Sequence, residues 1–284
     1  MDFIIISLFC IIVCYSFTDR NIMLSSGLLN WNDKQLNEQY NFFKIYKDLN
    51  LITATSILTY IININGSIGL IPTNSTIDAE QYQSNIHQNL NLPAYPCIFC
   101  DATIGSCNNL GDRLEAVFNN KEMFINDLIS RSIKYDWNGY TIDFEPDVNI
   151  DNIKTTNLMI DLAFQLSKYN KKLFIWINYN VDALYPFNIS SLMKYNNIKF
   201  LTMNTYYCDY NTFISEASNA IIHAYSLSKF GFGLLTYESN SVIKEDELNK
   251  IILWLKIYNN SFLSLWASKI PPNWFIPLNN FLMS

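Results

Sequence analysis

Trp137-Asn-Gly-Tyr-Thr-Ile-Asp-Phe-Glu-Pro-Asp147 reads as a strand with two chemically opposed faces. Alternation puts Thr141, Asp143 and Glu145 on one side and Tyr140, Ile142 and Phe144 on the other. Two carboxylates side by side at the end of an apolar strand are expensive to desolvate, because one must stay protonated or find a partner. A chain tolerates that arrangement where an acid held neutral near pH 7 has chemistry to perform. A solvated sheet edge would also accommodate two acids. The apolar positions between them, and the pattern upstream, fit a buried parallel strand better.

Working outward, strand-like apolar runs alternate with helical spacing along the chain. Expected strands are Ile22–Leu29, the β-branched run Leu51–Ile62, Tyr95–Ala102, Gly139–Glu145, Leu173–Asn178, Phe200–Tyr206, Phe230–Thr236 and Phe262–Trp266. Helical spacing covers Asp33–Asp48, Arg113–Ile133, Ile153–Ser167, Phe213–Ser228 and Glu245–Tyr258. The polar stretch Gly66–Gln88 reads as a long loop with a short helix. About eight strand–helix alternations without a linker predict one (β/α)8 TIM barrel in the α/β class. A doubly wound sheet would usually show a Gly-rich phosphate turn, and there is none.

In such a barrel the working face is the C-terminal end of the strands. Asp143 and Glu145 fall there on the fourth strand, Asn178 and Tyr179 on the fifth, Tyr206 and Tyr207 on the sixth, and Trp266 on the eighth. Trp176 and Tyr237 could offer ring faces to a ligand, but both read more simply as core residues.

Composition sets the outer limits. The chain has 284 residues, half of them hydrophobic and 15% charged, enough for one large core. A net charge of −6 without a Lys/Arg run argues against nucleic acid as a partner. The first sixteen residues read as a secretory signal. The apolar run Phe3–Cys14 is too short to span a bilayer, and Cys14 and Ser16 allow a cut before Phe17. Domain boundaries are therefore expected at 1–16 for the signal and 17–284 for the barrel. No later run is long enough for a membrane helix, so a soluble chain in a secreted or lysosomal compartment is expected.

Sequons at Asn65, Asn74, Asn188 and Asn259 fit that compartment. Beyond the signal lie Cys97, Cys100, Cys107 and Cys208, which an oxidising compartment would direct to disulfides. Zinc would need further ligands, and His87 and His223 are far apart, so no metal or organic cofactor is expected. Three residues apart on a strand, Cys97 and Cys100 face opposite ways and bridge poorly to each other. Cys100 with Cys107, across a loop, is the preferred pair.

Asn138-Gly-Tyr-Thr-Ile-Asp-Phe-Glu145 resembles the DGxDxDxE signature of glycoside hydrolase family 18, the chitinase and endo-β-N-acetylglucosaminidase family. Met203-Asn-Thr-Tyr206-Tyr207 is similar to its Met-x-Tyr element on the sixth strand, and Ser264-Leu-Trp266 to the Trp that closes its eighth. The resemblance implies a retaining mechanism assisted by the substrate's own acetamido group. Glu145 would be the general acid, and Asp143 would hold the acetamido N–H and offset developing charge. Tyr206 or Tyr207 would orient the acetamido oxygen, and Trp266 would floor the sugar, with Met203 and Asn178 beside it. The implied substrate is a GlcNAc-containing oligosaccharide or glycan.

Two positions depart from the signature: Asn138 replaces its first Asp, and Thr141 replaces the first acid of its triplet. Thr141 could hydrogen-bond Asp143 but could not share a proton with it. An inactive lectin that uses the same cleft, or a barrel glycosidase acting on other sugars, are the competing readings. Thr236 to Phe262 leaves no room for the small wall domain that many chitinases insert, so a shallow cleft is expected.

Overall fold

The computed structural model describes residues 20–101, 109–145, 150–177, 186–206, 209–223, 229–236, 243–266 and 269–284. Eight parallel strands form the barrel: β1 (Asn21–Ser26), β2 (Ala54–Ile62), β4 (Cys97–Asp101), β5 (Gly139–Glu145), β6 (Lys172–Ile177), β7 (Ile198–Thr202), β8 (Phe230–Leu235) and β9 (Phe262–Trp266). They follow one another in chain order around the sheet, and β1 closes it by pairing with both β2 and β9. The additional β3 (Ile68–Leu70) runs antiparallel on β2. This is the expected (β/α)8 barrel.

Helices α1 (Asp33–Asp48), α2 (Ala79–Leu90), α3 (Leu110–Asn119), α4 (Lys121–Lys134), α5 (Asn152–Ser167), α6 (Ile189–Leu192), α7 (Tyr210–His223), α8 (Glu245–Ile257) and α9 (Phe275–Leu282) accompany the strands. Between β8 and β9 the described residues hold α8 alone, which leaves no inserted domain there. Side-chain caps start several helices: Asn32 makes a capping box with Gln35, and Asp78 and Asp151 accept from Gln81 and Lys154 N–H groups at 2.8 and 2.9 Å. Turns that would usually need glycine carry asparagine. Asn30, Asn50, Asn91, Asn109, Asn170 and Asn259 all have positive φ, so part of the chain's Asn content has a backbone use.

Three expectations are corrected. Arg113–Ile133 is two helices rather than one, because the backbone leaves the helical region at Asn120, whose N–H turns back to Val117 at 3.0 Å. Gly66–Gln88 is more ordered than a loop: a turn from Asn63 to Ser67 folds β3 back onto β2, and α2 runs three turns behind the Asp78 cap. The sixth barrel strand stops at Thr202 instead of Tyr206, and residues 203–206 form a turn.

The core has two layers. Outward-facing strand residues such as Ile22, Ile57, Ile98, Ile142, Phe232 and Leu263 pack against the helices in the larger apolar cluster. Inside the barrel lies a separate cluster built around Met23, Tyr95, Phe174, Trp176, Leu201 and Phe262. That interior is filled with side chains, as barrels of this size require. Among the described residues no helix is long and apolar enough to cross a membrane.

Candidate active site

Strand β5 separates its two faces as the alternation predicted. On the outside the Tyr140 hydroxyl donates to the Leu128 carbonyl at 2.6 Å, and the Phe144 ring stacks on Phe187 with centroids 6.0 Å apart. The strand begins at Gly139, where φ is +148° and a Cβ would lie 1.8 Å from the Lys172 carbonyl oxygen, so only glycine lets β5 and β6 meet here. Asn138 ties β5 to the segment before β4: its side-chain oxygen accepts from Ala94 N–H at 3.0 Å and its own N–H donates to the Ala94 carbonyl at 2.9 Å. The structure uses the acceptor oxygen, which an Asp would also supply.

The inner face carries Thr141, Asp143 and Glu145 in ascending order. Thr141 is fully buried, accepts from the Ser56 hydroxyl at 2.9 Å and donates to the Tyr95 carbonyl at 3.2 Å. Its single proton is thereby committed to a backbone oxygen. Asp143 is buried and Glu145, one layer higher, is exposed at the mouth. On the neighbouring strand Phe99 lies in register with Asp143, and Asp101 with Glu145. The Cys97 thiol, in register with Thr141, is pushed well up by burial and then by the charges of Asp143 and Glu145. A thiol in that setting stays protonated and inert.

Across the barrel the wall is aromatic. Trp176 on β6 sits between Tyr206, 5.5 Å away by ring centroids, and Trp266, 6.3 Å away and nearly perpendicular at 83°. Trp176 is buried, Trp266 is half-buried at the end of β9, and Met203 packs against the same cluster. Tyr206 reaches inward because the turn after β7 is pinned. Thr205 donates to the Gly233 carbonyl at 2.7 Å and meets the Thr202 hydroxyl at 3.0 Å, while Tyr206 N–H closes on the Met203 carbonyl at 3.1 Å. Gly233 makes the space, since a Cβ there would lie 2.5 Å from the Tyr206 ring.

Asp143 and Glu145 lie toward the C-terminal end of β5, Trp266 ends β9, and Met203 and Tyr206 lie in the turn just past β7, with Thr141 one inward step deeper than Asp143. Tyr207, Asn178, Tyr179 and Tyr237 lie outside the described residues, as do Cys107, Cys208 and the signal segment. Alternation along a strand cannot decide for Tyr206, because β7 ends at Thr202 and Tyr206 lies in the turn beyond it. Thr141 does not bond to Asp143, contrary to what its position allowed.

The sequence allowed Trp176 a stacking use but read it more simply as core; it is core, and it is also the shared contact of Tyr206 and Trp266. Cys97 is a free, buried thiol, so no Cys97–Cys100 bridge forms. The His87 ring nitrogen hydrogen-bonds the Leu92 carbonyl at 2.7 Å, a structural use. Among the described residues, no three His, Cys, Asp or Glu side chains gather closely enough to hold a metal ion.

No protein-family model matches the chain, and no curated protein matches it in sequence. Solved structures do match. A chitinase from Chromobacterium violaceum ATCC 12472 superposes with a TM-score of 0.72 at 13% identity, covering 93% of this chain and 99% of its own. The spore cortex-lytic enzyme SleL of Bacillus megaterium QM B1551 superposes with a TM-score of 0.70 at 10% identity, over 93% of this chain and 75% of that one. The Group IV chitinase of Ostrinia furnacalis, solved in complex with allosamidin, gives a TM-score of 0.66 at 11% identity, over 93% and 99%. The chain has the chitinase-like fold of glycoside hydrolase family 18 structures.

Proposed function

We propose that this protein is a glycoside hydrolase that cleaves β-1,4 linkages in GlcNAc-containing oligosaccharides by a retaining, substrate-assisted route. The observation that carries the reading is the placement of Asp143 and Glu145 on one inner strand face, facing a mouth that also holds Tyr206 and Trp266. The fold shared with chitinases, one of them solved with allosamidin, supports the same substrate class.

In this mechanism the exposed Glu145 gives its proton to the glycosidic oxygen as the bond to the anomeric carbon breaks. The substrate's acetamido oxygen attacks that carbon from the opposite face and forms an oxazolinium ion. Asp143, buried and one layer deeper, accepts the acetamido N–H and offsets the positive charge. Water then adds to the anomeric carbon, returns a proton to Glu145 and restores the acetamido group with net retention. Tyr206 orients the acetamido oxygen and Trp266 lies under the sugar face, where an aromatic ring matches its C–H groups. The absence of an inserted domain beside β8 suits short chito-oligosaccharides or the chitobiose core of N-glycans.

Secretion after removal of residues 1–16, glycosylation at the four sequons and a disulfide from Cys100 belong to the same proposal. Asn65, Asn74, Asn188 and Asn259 are all exposed, which leaves them open to modification.

One observation favours a second reading, a lectin that binds the same sugars without turnover: the Thr141 hydroxyl is committed to Tyr95, so Thr141 does not give Asp143 the shared proton that a third acid would. Glu145→Gln separates the two. As a hydrolase the variant loses turnover of a chromogenic chito-oligosaccharide by about 10²–10⁴-fold with an unchanged melting temperature. Wild-type protein that binds the oligomer but turns nothing over would establish the lectin.

A further inference from the structure

Five consecutive barrel strands present a small hydroxyl or thiol to the interior. They are Ser264 on β9, Ser25 on β1, Ser56 on β2, Cys97 on β4 and Thr141 on β5, all buried. Ser25 is in register with Ser56, and Cys97 with Thr141, while Ser264 pairs with Met23, one inward step below Ser25. Ser56 and Thr141 satisfy each other and the Tyr95 carbonyl. The Ser25 and Ser264 hydroxyls, both with no accessible surface, have no protein partner.

A fully buried hydroxyl without a partner weakens a fold, and two on adjacent strands call for a common explanation. Neighbouring strands stand about 4.8 Å apart; Ser25 is in register with Ser56 on one side and with Trp266 on the other, and Ser264 is the next inward residue below Trp266. Ser56 donates its one proton to Thr141 and keeps lone pairs to accept. Internal waters occupy sites with two to four polar partners, and Ser25, Ser56 and Ser264 together supply three.

We infer that Ser25, Ser56 and Ser264 form an internal water site. About one or two waters there join the Ser56–Thr141 pair into a continuous hydrogen-bonded belt on the wall below Asp143. The belt gives the acidic side of the barrel a polar foundation that owes nothing to a third carboxylate. It does not depend on hydrolysis, so failure of the glycosidase reading leaves it standing.

The test is thermal unfolding of the whole protein as Ser25→Ala, Ser264→Ala and the double variant. Long-lived internal waters are counted in parallel by oxygen-17 magnetic relaxation dispersion. Each single variant is expected to lower the melting temperature by roughly 2–4 °C, the size expected for one lost hydrogen bond. The double variant should fall little further, since both hydroxyls hold the same water, and should lose long-lived water. A melting temperature that rises or stays level in either single variant marks a dry hydroxyl whose removal is harmless, and overturns the inference. Additive losses with an unchanged water count overturn it too.

Discussion

The inner wall of this barrel is made of two halves that solve different problems. From β1 through β5 it carries small polar groups, Ser25, Ser56, Cys97 and Thr141, topped by Asp143 and Glu145, while β9 is mixed, with Ser264 between Phe262 and Trp266. From β6 through β8 it carries Phe174, Trp176, Leu201 and Leu235, with the ring of Tyr206 filling the space beside Gly233. Carboxylates need hydrogen-bonding surroundings to be buried at all, whereas the face of a sugar ring needs a flat apolar partner. Placing the two kinds of wall opposite each other puts a proton donor and a stacking surface on either side of a bound ring. A barrel with aromatic groups all round could bury more surface but could not hold Asp143.

Substitutions on the two sides should therefore fail in different ways. The largest effect belongs to the polar half: Asp143→Asn should lower kcat for chito-oligosaccharides by about 10²–10³-fold, because an amide cannot offset the oxazolinium charge. Circular dichroism and melting temperature should barely move, and a variant that unfolds instead would make Asp143 a structural residue. In the aromatic half the loss should appear in stability. Trp176→Ala empties a buried site shared by two rings and should cost about 3–5 kcal/mol in denaturant unfolding. An unfolding midpoint close to wild type would show that the aromatic wall is not packed as described.

Thr141→Val sits between these cases. It keeps the shape and removes the partner of Ser56 and Tyr95, so stability should fall by about 1–3 kcal/mol. If the wall works as proposed, the acidic limb of the pH–rate profile should stay in place, because the Thr141 hydroxyl bonds to Ser56 and Tyr95 rather than to Asp143. A moved limb would mean that the hydroxyl turns toward the acid during catalysis.

The smallest effect comes from outside the barrel and serves as a control on buried acids. Glu80 accepts from Tyr60 at 2.7 Å, from Tyr135 at 2.9 Å and from Arg131. Burial works against its charge, but the hydrogen bonds from Tyr60, Tyr135 and Arg131 and the guanidinium charge outweigh it and hold the carboxyl below its usual 4.5. A carboxyl with a depressed folded value adds stability above its unfolded value, and that stability disappears as pH falls through the folded one. Melting temperature should therefore drop on acidification below about pH 4.5, and Glu80→Gln should flatten part of that drop. An identical pH dependence in the variant would remove Glu80 from the account.

The parts of this structure that were legible in the sequence are those set by local pattern. The bounds of β5 and β9 coincide with the expected ones, since each is a short run dominated by apolar, strand-forming residues that follows a polar one, Asn138 or Ser261. The bounds of β7 were not legible: its early end depends on Thr205 bonding to Gly233, a contact from a strand nearly thirty residues away. The break at Asn120 has no Gly or Pro to announce it. The short β3 was hidden in polar residues, although Gly66, with φ of +79°, was a visible turn signal.

At the site, the phase of Asp143 and Glu145 could be read from five residues of alternation. The aromatic wall could not, because it is assembled from β6, β8, β9 and a turn that meet only in three dimensions. Trp176 looked like core from its neighbours and is core, but its neighbours in space are Tyr206 and Trp266.

The central claim is that the substrate's own acetamido group is the nucleophile, with Asp143 and Glu145 serving it from one face of β5. The most direct test compares two chromogenic oligosaccharides identical except at carbon 2 of the reacting sugar, one with an acetamido group and one with a hydroxyl. The account predicts turnover of the first with retention of configuration and no measurable turnover of the second. Comparable rates on both, or an inverted product, would contradict it.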